Sequence, residues 1–451
     1  MRRQEKKEIL NIIASLEQIN RLTATNMNAG VPVTAEVLID CQNAALEAGN
    51  ALESLGEPVE EIIRALEEYC ETLYQMSLSL DELHSCRKLA KKIQKQLSDI
   101  KNKIISGLPS GKKEVVFLPY KASMWDSLES VWQAAAEDAD CDAYVVPIPY
   151  YDKKADGSLG EMHYEGGEYP DYVPVVSWKE YDIARRRPDA IYIHNPYDDW
   201  NYVTTVHPDF YAPRLRSFTD LLVYIPYFIA IDDEVEDHFC VAPGILCAHK
   251  VVVQSEKVRK RYIEELRRFE KENHCQGKFG DIEEKITALG SPKFDKVRSA
   301  KRDEYELPEE WKNQIRRPDG SVKKVIFYNT TVSSMLKQQE KMLAKIRDVF
   351  RVLQTQEDTV LLWRPHPLLK STLRSMRPGL LAEYEQIEQE YREGGWGIFD
   401  DSPDLYRAIT WSDAYYGDMS SVVELYKQTG KPVMIQNTEV LCQDEDMECG
   451  L

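Results

Sequence analysis

Residues 414–435 read AYYGDMSSVVELYKQTGKPVMI. Ala414 to Tyr416 is an apolar run that stops at Gly417-Asp418. Ser420 and Ser421 then open a helical pattern that runs to Lys427, and Pro432 to Gln436 is apolar and extended again. A strand, a short helix and a second strand in about 20 residues predict a parallel pair joined by a right-handed crossover. Working outward, the same alternation fills the preceding hundred residues. Lys324 to Tyr328 reads as a strand, Gln338 to Gln354 as a helix and Val360 to Trp363 as a strand. Leu380 to Glu393 is helical after Pro378-Gly379, Gly397 to Phe399 is extended, and Asp404 to Trp411 is helical.

Further upstream the alternation occurs a second time. Glu114 to Leu118 (EVVFL), Ala143 to Ile148 (AYVVPI), Ala190 to Ile193, Leu221 to Ile225, Lys250 to Val253 and Ile286 to Leu289 are strand-like, with a helix at Ser127 to Glu137. A polar stretch from Lys301 to Gly320 reads as a linker. The pattern predicts an α/β protein with two Rossmann-like doubly wound domains, 112–300 and 321–451, facing a cleft at the carboxyl ends of their strands.

Residues 1–108 differ and predict an all-α region of four helices. Ile9, Ile12, Ile13, Leu16, Ile19 and Leu22 recur at helical spacing. Val37 to Leu55 repeats the pattern and stops at Gly56 and Pro58. Val59 to Leu78 begins with Pro58, Glu60 and Glu61 at its first turn, where the helix dipole favours acids. Ser79 to Ile105 opens with SLDE, a capping-box spacing of Ser79 and Glu82. Its continuation, RKLAKKIQKQLSDIKNK, is basic and amphipathic. It could touch a membrane surface or an acidic partner; more often such a helix is a solvated face or one packed in a bundle. Arg185 to Arg187 and Lys257 to Arg268 are two further basic stretches.

The chain has 451 residues, 57 Lys plus Arg against 76 Asp plus Glu, and a formal net charge of −19. That surplus of acid argues against a general nucleic-acid binder. No window approaches the ~20 apolar residues of a membrane span, and Leu221 to Ile231 is broken by Pro226. The amino-terminal MRRQEKKEILNIIASLEQ lacks the core of a signal peptide. Nine scattered cysteines without a CxxC pair predict reduced thiols and no structural zinc. Together these predict a cytoplasmic protein, with peripheral contact at the inner face of the plasma membrane open to it through its basic stretches.

Two loops carry the chemistry. WRPHP, Trp363 to Pro367, follows the strand at Val360 directly. Arg364 offers a planar fork for phosphate, and His366 can donate to an anion or move a proton. The alternative is a rigid turn with a structural histidine. In the second loop, the helix start at Ser420 and Ser421 offers N–H groups and hydroxyls to a phosphate. Gly417 allows close approach of the backbone to a ligand, and Glu424, one turn on, can accept from ribose hydroxyls. The alternative is that Ser420 or Asp418 serves only as the N-cap.

Three more pieces stand upstream in order: VVVQSEKVRKRY (251–262), KITALGSPKFDKV (285–297) and FYNTTVSSML (327–336). The five together, over about residues 220 to 437, resemble the CDP-glycerol glycerophosphotransferase family, the teichoic-acid primases and polymerases of GT-B architecture. Gly290, Pro292 and Asp295 match its Gly-x-Pro-x-x-Asp segment, Arg364 to Pro367 its Arg-Pro-His-Pro loop, and Asp418 to Ser421 its Asp-x-Ser-Ser. The resemblance implies that His366 and Arg364 contact the donor diphosphate. It implies that Ser420 and Ser421 hold phosphates, that Asp418 and Glu424 position the helix and the ribose or base, and that Thr330 and Thr331 line the cleft.

One departure stands out. The family carries His-Gly-Thr-x-x-Lys after a strand of the first domain, and its histidine is the base. The equivalent stretch here, Leu221 to Asp233, holds neither His nor Gly. His194, at the end of the strand Ala190 to Ile193, is the substitute candidate for a base facing the cleft, or else a satisfied structural histidine. His207 is a further acceptor-side candidate. Asp232 and Asp233 suit either a metal or a turn. Lys121 and Ser123, in the loop after the first strand, could hold acceptor phosphate.

The expected function is transfer of glycerol phosphate, or a related alcohol phosphate, from a CDP-linked donor to a hydroxyl acceptor with release of CMP. The acceptor would be lipid-linked, an anionic polymer or a small molecule. No cofactor or metal is expected, the CDP-linked donor being a substrate. A GT-B nucleotide-sugar glycosyltransferase, and a non-catalytic nucleotide-binding or assembly protein that oligomerises through the amino-terminal helices, are the alternatives.

Overall fold

The computed structural model describes residues 2–441 except 30, 32, 57 and 110. Cys442, Cys449 and the last ten positions of the expected 321–451 domain lie outside the described residues. The seven described cysteines are free thiols.

Four helices open the chain: α1 (Arg3–Asn28), α2 (Ala35–Glu53), α3 (Glu60–Ser77) and α4 (Leu83–Gly107). Each packs on its chain neighbours and α1 closes on α4. Ile9, Ile13, Leu16, Leu66, Leu97 and Ile104 are among the buried residues of one shared core. The predicted capping box is not made. Residues 78–81 form a turn, α4 starts at Leu83, and Glu82 at its N-cap makes no cap bond to the helix. Ser79 is spent on the turn instead, where its carbonyl accepts from the Glu82 N–H at 2.9 Å.

Two parallel sheets follow. In chain order the strands are β1 (Lys113–Leu118), β2 (Cys141–Val145), β3 (Tyr150–Lys153), β4 (Leu159–His163), β5 (Ala190–Ile193), β6 (Thr204–Val206), β7 (Leu221–Tyr224), β8 (Lys250–Val253) and β9 (Ile286–Ala288). Then come β10 (Lys324–Thr330), β11 (Thr359–Pro365), β12 (Ile398–Phe399), β13 (Ala414–Gly417) and β14 (Val433–Ile435). The first large sheet runs β2-β1-β5-β7-β8-β9 and the second β12-β11-β10-β13-β14, with parallel pairing throughout. The near-continuous burial of Val115 to Leu118 and of Val360 to Arg364 is that of strands covered on both faces.

A third, antiparallel sheet, β4-β3-β6, has no counterpart in the sequence reading. Its hairpin turns at Asp156-Gly157, with Gly157 at φ 81°. That Asp-Gly pair is a strong local hairpin signal. The stretch Lys301 to Gly320 is also more than a linker. It contains a helix, Glu309–Ile315, whose Trp311 and Ile315 sit one turn apart and enter the core around Phe327 and Leu362.

The helix Pro292–Ser299 joins the two large sheets. Lys293 pairs with Asp126 at 2.7 Å and Lys296 with Glu129 at 2.7 Å on the first side. Phe294 and Val297 enter the second sheet's core together with Ile229 from the loop after β7. Tyr406 Oη donates to Asp126 at 2.6 Å. The Asp232 N–H reaches Glu424 Oε1 at 3.4 Å, from the loop after β7 to the helix after β13. These contacts turn the carboxyl ends of the two sheets toward each other.

The helical bundle docks at the opposite end. Arg2 donates to the Arg186 carbonyl at 3.1 Å, Arg187 pairs with Glu8 at 3.6 Å, and Lys7 pairs with Asp220. Residues 186, 187 and 220 precede β5 and β7, so this junction lies at the amino ends of those strands. Among the described residues no helix is long and apolar enough to cross a membrane.

Candidate functional site

The loops after β10 and β13 are stitched together by Gly417, Asp418 and Asn329. Gly417 has φ 152°, and a Cβ there would lie 2.3 Å from the Asn329 carbonyl oxygen. The close approach expected here was to a ligand; the one the structure shows is to the neighbouring strand. Asp418 is buried, and its carboxylate accepts from the Thr331 N–H at 2.6 Å, Thr331 Oγ1 at 3.0 Å and Gln436 Nε2 at 2.6 Å. With those three donors it fixes the loops. The sequence reading missed Asn329 and Gln436, which bear no motif and meet the site only through strand register.

Thr330 and Thr331 do not line an open surface. Thr330 is fully buried and accepts from Trp363 Nε1 at 3.1 Å. Thr331 caps the helix Val332–Gln338 by accepting from the Ser334 N–H at 3.2 Å. A threonine after a strand is as good an N-cap as a ligand.

Arg364 is the penultimate residue of β11 and is also buried. Its guanidinium pairs with Asp400 and donates to the Ser402 carbonyl at 2.8 Å. The fork expected to reach a diphosphate is thus turned into the wall. Asp400 follows the two-residue strand β12, and sequence gave no pointer to it beyond the Asp400-Asp401-Ser402 cluster. A cavity of about 230 Å³ opens beside this pair, lined among others by His366, Lys370, Tyr384 and Arg392.

His366 is exposed, as is the following Pro367. Its backbone N–H donates to the Thr330 carbonyl at 2.9 Å, and Nδ1 accepts from the Leu368 N–H at 3.2 Å. The neutral ring therefore carries its proton on Nε2, directed away from the loop backbone. Partial burial lowers its pKa, which favours that neutral form.

The helix Ser421–Lys427 begins as predicted, but neither alternative cap is made. Ser420 makes no cap bond; its Oγ lies 3.4 Å from Asn329 Oδ1, and Asp418 is committed as above. Ser421 is exposed. Glu424 pairs with Lys427 at 2.8 Å and accepts from Asp232, so it bridges to the first sheet's loops.

On the first sheet's side, His194 does end β5, but it is fully buried and does not face the cleft. Nε2 accepts from the Tyr120 N–H at 3.1 Å, and Nδ1 lies 2.9 Å from Ser127 Oγ, which donates on to the Met124 carbonyl at 2.7 Å. Both nitrogens are satisfied only by the neutral ring, since a proton on Nε2 would confront the Tyr120 N–H. Burial first, then the charge of Lys293, pushes its pKa down to about 3. The unfolded state accordingly binds the extra proton below about pH 6.5, and stability falls as pH drops from there toward 3. Between pH 7 and pH 5 this contributes a loss of about 2 kcal/mol. Urea unfolding at the two pH values is expected to show that share in the natural chain and not in His194→Gln.

His207 accepts from the Asp209 N–H at 3.2 Å and packs among Tyr151, Trp178 and Phe210. Asp232 and Asp233 both have positive φ, in keeping with the turn reading. Lys121 lies with Nζ 5.0 Å from the Tyr150 ring centre, and no carboxylate lies within 4.0 Å of it among the described residues. Ser123 is exposed in the same loop.

No family model and no curated protein matches the chain. Solved structures do. A variant of the wall teichoic acid polymerase TagF soaked with CDPG is 14% identical, with a TM-score of 0.38 over 83% of this chain and 78% of that one. A UDP-GlcNAc 2-epimerase from Methanocaldococcus jannaschii is 9% identical, with a TM-score of 0.43 over 72% and 83%. S. aureus MnaA with UDP is 11% identical, with a TM-score of 0.42 over 72% and 78%. The fold rests on the strand orders themselves. The chain is α/β, with two doubly wound parallel sheets in a GT-B-like arrangement behind an all-α region.

Proposed function

We propose that the protein is a transferase that moves a glycerol phosphate, or a related alcohol phosphate, from a CDP-linked donor to a hydroxyl acceptor. One observation carries the reading. The five sequence pieces that resemble the glycerophosphotransferase family all fall at carboxyl ends of parallel strands. Ser255 follows β8, Gly290 follows β9, Thr331 follows β10, His366 follows β11 and Asp418 follows β13. Ligands of open α/β sheets bind at those ends.

In this reading the acceptor oxygen bonds to the β-phosphorus, the bond from that phosphorus to the bridging oxygen breaks, CMP leaves, and the hydroxyl proton passes to solvent. Such transfer depends on positioning and charge stabilisation more than on covalent help. His366 donates from Nε2 to a phosphate oxygen. The uncapped helix start at Ser420 and Ser421 holds the diphosphate, and Glu424 the ribose. Arg364 and Asp418 act through these groups, by fixing their loops. Lys121, unpaired over Tyr150, and Ser123 take the acceptor's phosphate.

A donor screen tests the reading. Chain incubated with acceptor is expected to release CMP from CDP-glycerol and no nucleotide from UDP-sugars. Release of UDP alone transfers the reading to a sugar-nucleotide enzyme. Stabilisation against heat by neither CDP nor UDP transfers it to a non-catalytic role.

A further inference from the structure

The β3–β4 hairpin brings together three groups that neither the fold nor the proposed transfer uses. Tyr150 pairs with His163 across the hairpin, and the register shifts between Tyr151 and Lys153, which leaves Asp152 at an irregularity. Strand alternation sets Asp152 on the face of Tyr150, and Glu161 on the face of His163. The pairing of Tyr150 with His163 makes these one face. One ligand atom each from Asp152, Glu161 and His163 lies within 4.8 Å of the others.

We infer that this hairpin binds a first-row transition metal such as zinc through Asp152, Glu161 and His163. Three atoms no farther apart than this lie within about 2.8 Å of a common centre, so a side-chain shift of about 0.7 Å reaches metal–ligand distance. One imidazole nitrogen with two carboxylate oxygens suits zinc, manganese or iron(II) better than magnesium or calcium, which favour oxygen throughout. Three protein ligands leave positions open for water or an anionic oxygen.

The surroundings hold the ligands in place and offer the two carboxylates no Lys or Arg partner among the described residues. His163 stacks on Tyr150 with centroids 5.1 Å apart, and Tyr150 Oη is held by Glu165 at 2.7 Å. A Cβ at Gly160 would come within 3.0 Å of the Asp152 carbonyl oxygen, so glycine lets β4 lie close to Asp152. Among the described residues no Lys or Arg pairs with Asp152 or Glu161. Asp152 meets only His163, at 2.9 Å, and the adjacent Lys153 is turned to the Asp199 carbonyl. Asp152 comes from β3 and Glu161 and His163 from β4, with one histidine and no cysteine among them, so cysteine and histidine spacing in the sequence carried no metal signal.

The test uses the full chain stripped with a chelator and titrated with zinc chloride, the bound metal being counted per chain. One zinc per chain is expected, with no competition from excess magnesium. His163→Ala is expected to lose it, and Glu161→Gln to weaken it by about tenfold or more. A chelated melt of each variant matching that of the natural chain separates loss of a ligand from loss of the fold. Should His163→Ala unfold, the exposed Glu161→Gln decides alone. No zinc uptake by the natural chain, or uptake unchanged in the variants, overturns the assignment.

Discussion

His366→Ala is expected to lower CMP release from CDP-glycerol by about 10²- to 10³-fold, the range for removal of one preorganised donor to developing charge. Stability is expected to change by no more than about 0.5 kcal/mol, because the side chain is only partly buried and its one ring bond among the described residues is to a local backbone N–H. The pair of readouts is what gives the experiment force. Partial burial and the Nδ1 contact hold the ring neutral with Nε2–H outward. His366→Gln also offers a donor, and it is expected to recover part of the rate. Lowering the pH through the depressed pKa charges the ring. The rate should then follow a single titration below pH 6.5 that is missing from the alanine variant. An unchanged rate in His366→Ala removes this histidine from the reaction, whatever the donor proves to be.

What sequence made legible was set by local signals. Ala190–Ile193, Lys250–Val253 and Ser421–Lys427 appear with their predicted bounds because each is framed by its own turn residues and a period of 2 or 3.6. The capping box at Ser79 failed because a three-residue spacing serves a turn as well as a helix start. Gly417 was marked for close approach of the backbone to a ligand, and the close neighbour the structure shows is the Asn329 backbone, which only strand pairing brings there. The same limit governs the site. Thr330, Arg364, Asp418 and His194 are polar residues at strand ends, the pattern of ligand-holding groups, and in each case the side chain is consumed by a partner distant in sequence. Trp363, Asp400, Gln436 and Ser127 are those partners. Buried polar groups must be paired, and the chemistry that makes a residue a good ligand also makes it a good internal partner.

The basic stretches divide in the same way. Arg186 is held by Glu114, Lys257 by Glu234, Arg267 by Glu283 and Arg268 by Asp237. On α4, Lys101 pairs with Glu17 and Lys103 with Glu61, whereas Lys88, Lys91, Lys92 and Lys95 are exposed and have no carboxylate within 4.0 Å among the described residues. That quartet gives α4 a run of positive charge without a carboxylate partner among the described residues.

Arg364→Ala is expected to cost about 3–5 kcal/mol of stability, the penalty for stranding one member of a buried ion pair. The partner left behind is Asp400, 2% exposed. The resemblance to the glycerophosphotransferases puts this arginine on the donor diphosphate, and the structure turns its fork to Asp400 and the Ser402 carbonyl. The two assignments separate in a double-mutant cycle. If Arg364 is a wall residue, Asp400→Asn removes the stranded charge and Arg364→Ala/Asp400→Asn regains a large part of the lost stability, giving a coupling on the order of 1–3 kcal/mol. Donor affinity should then recover along with the fold. If Arg364 binds phosphate, relieving Asp400 restores stability but leaves donor binding as weak as in the single variant. Arg364→Lys sharpens the distinction. It keeps the charge beside Asp400 but loses the planar fork that reaches Asp400 and Ser402 together, so a wall role predicts intermediate stability with donor affinity that tracks it.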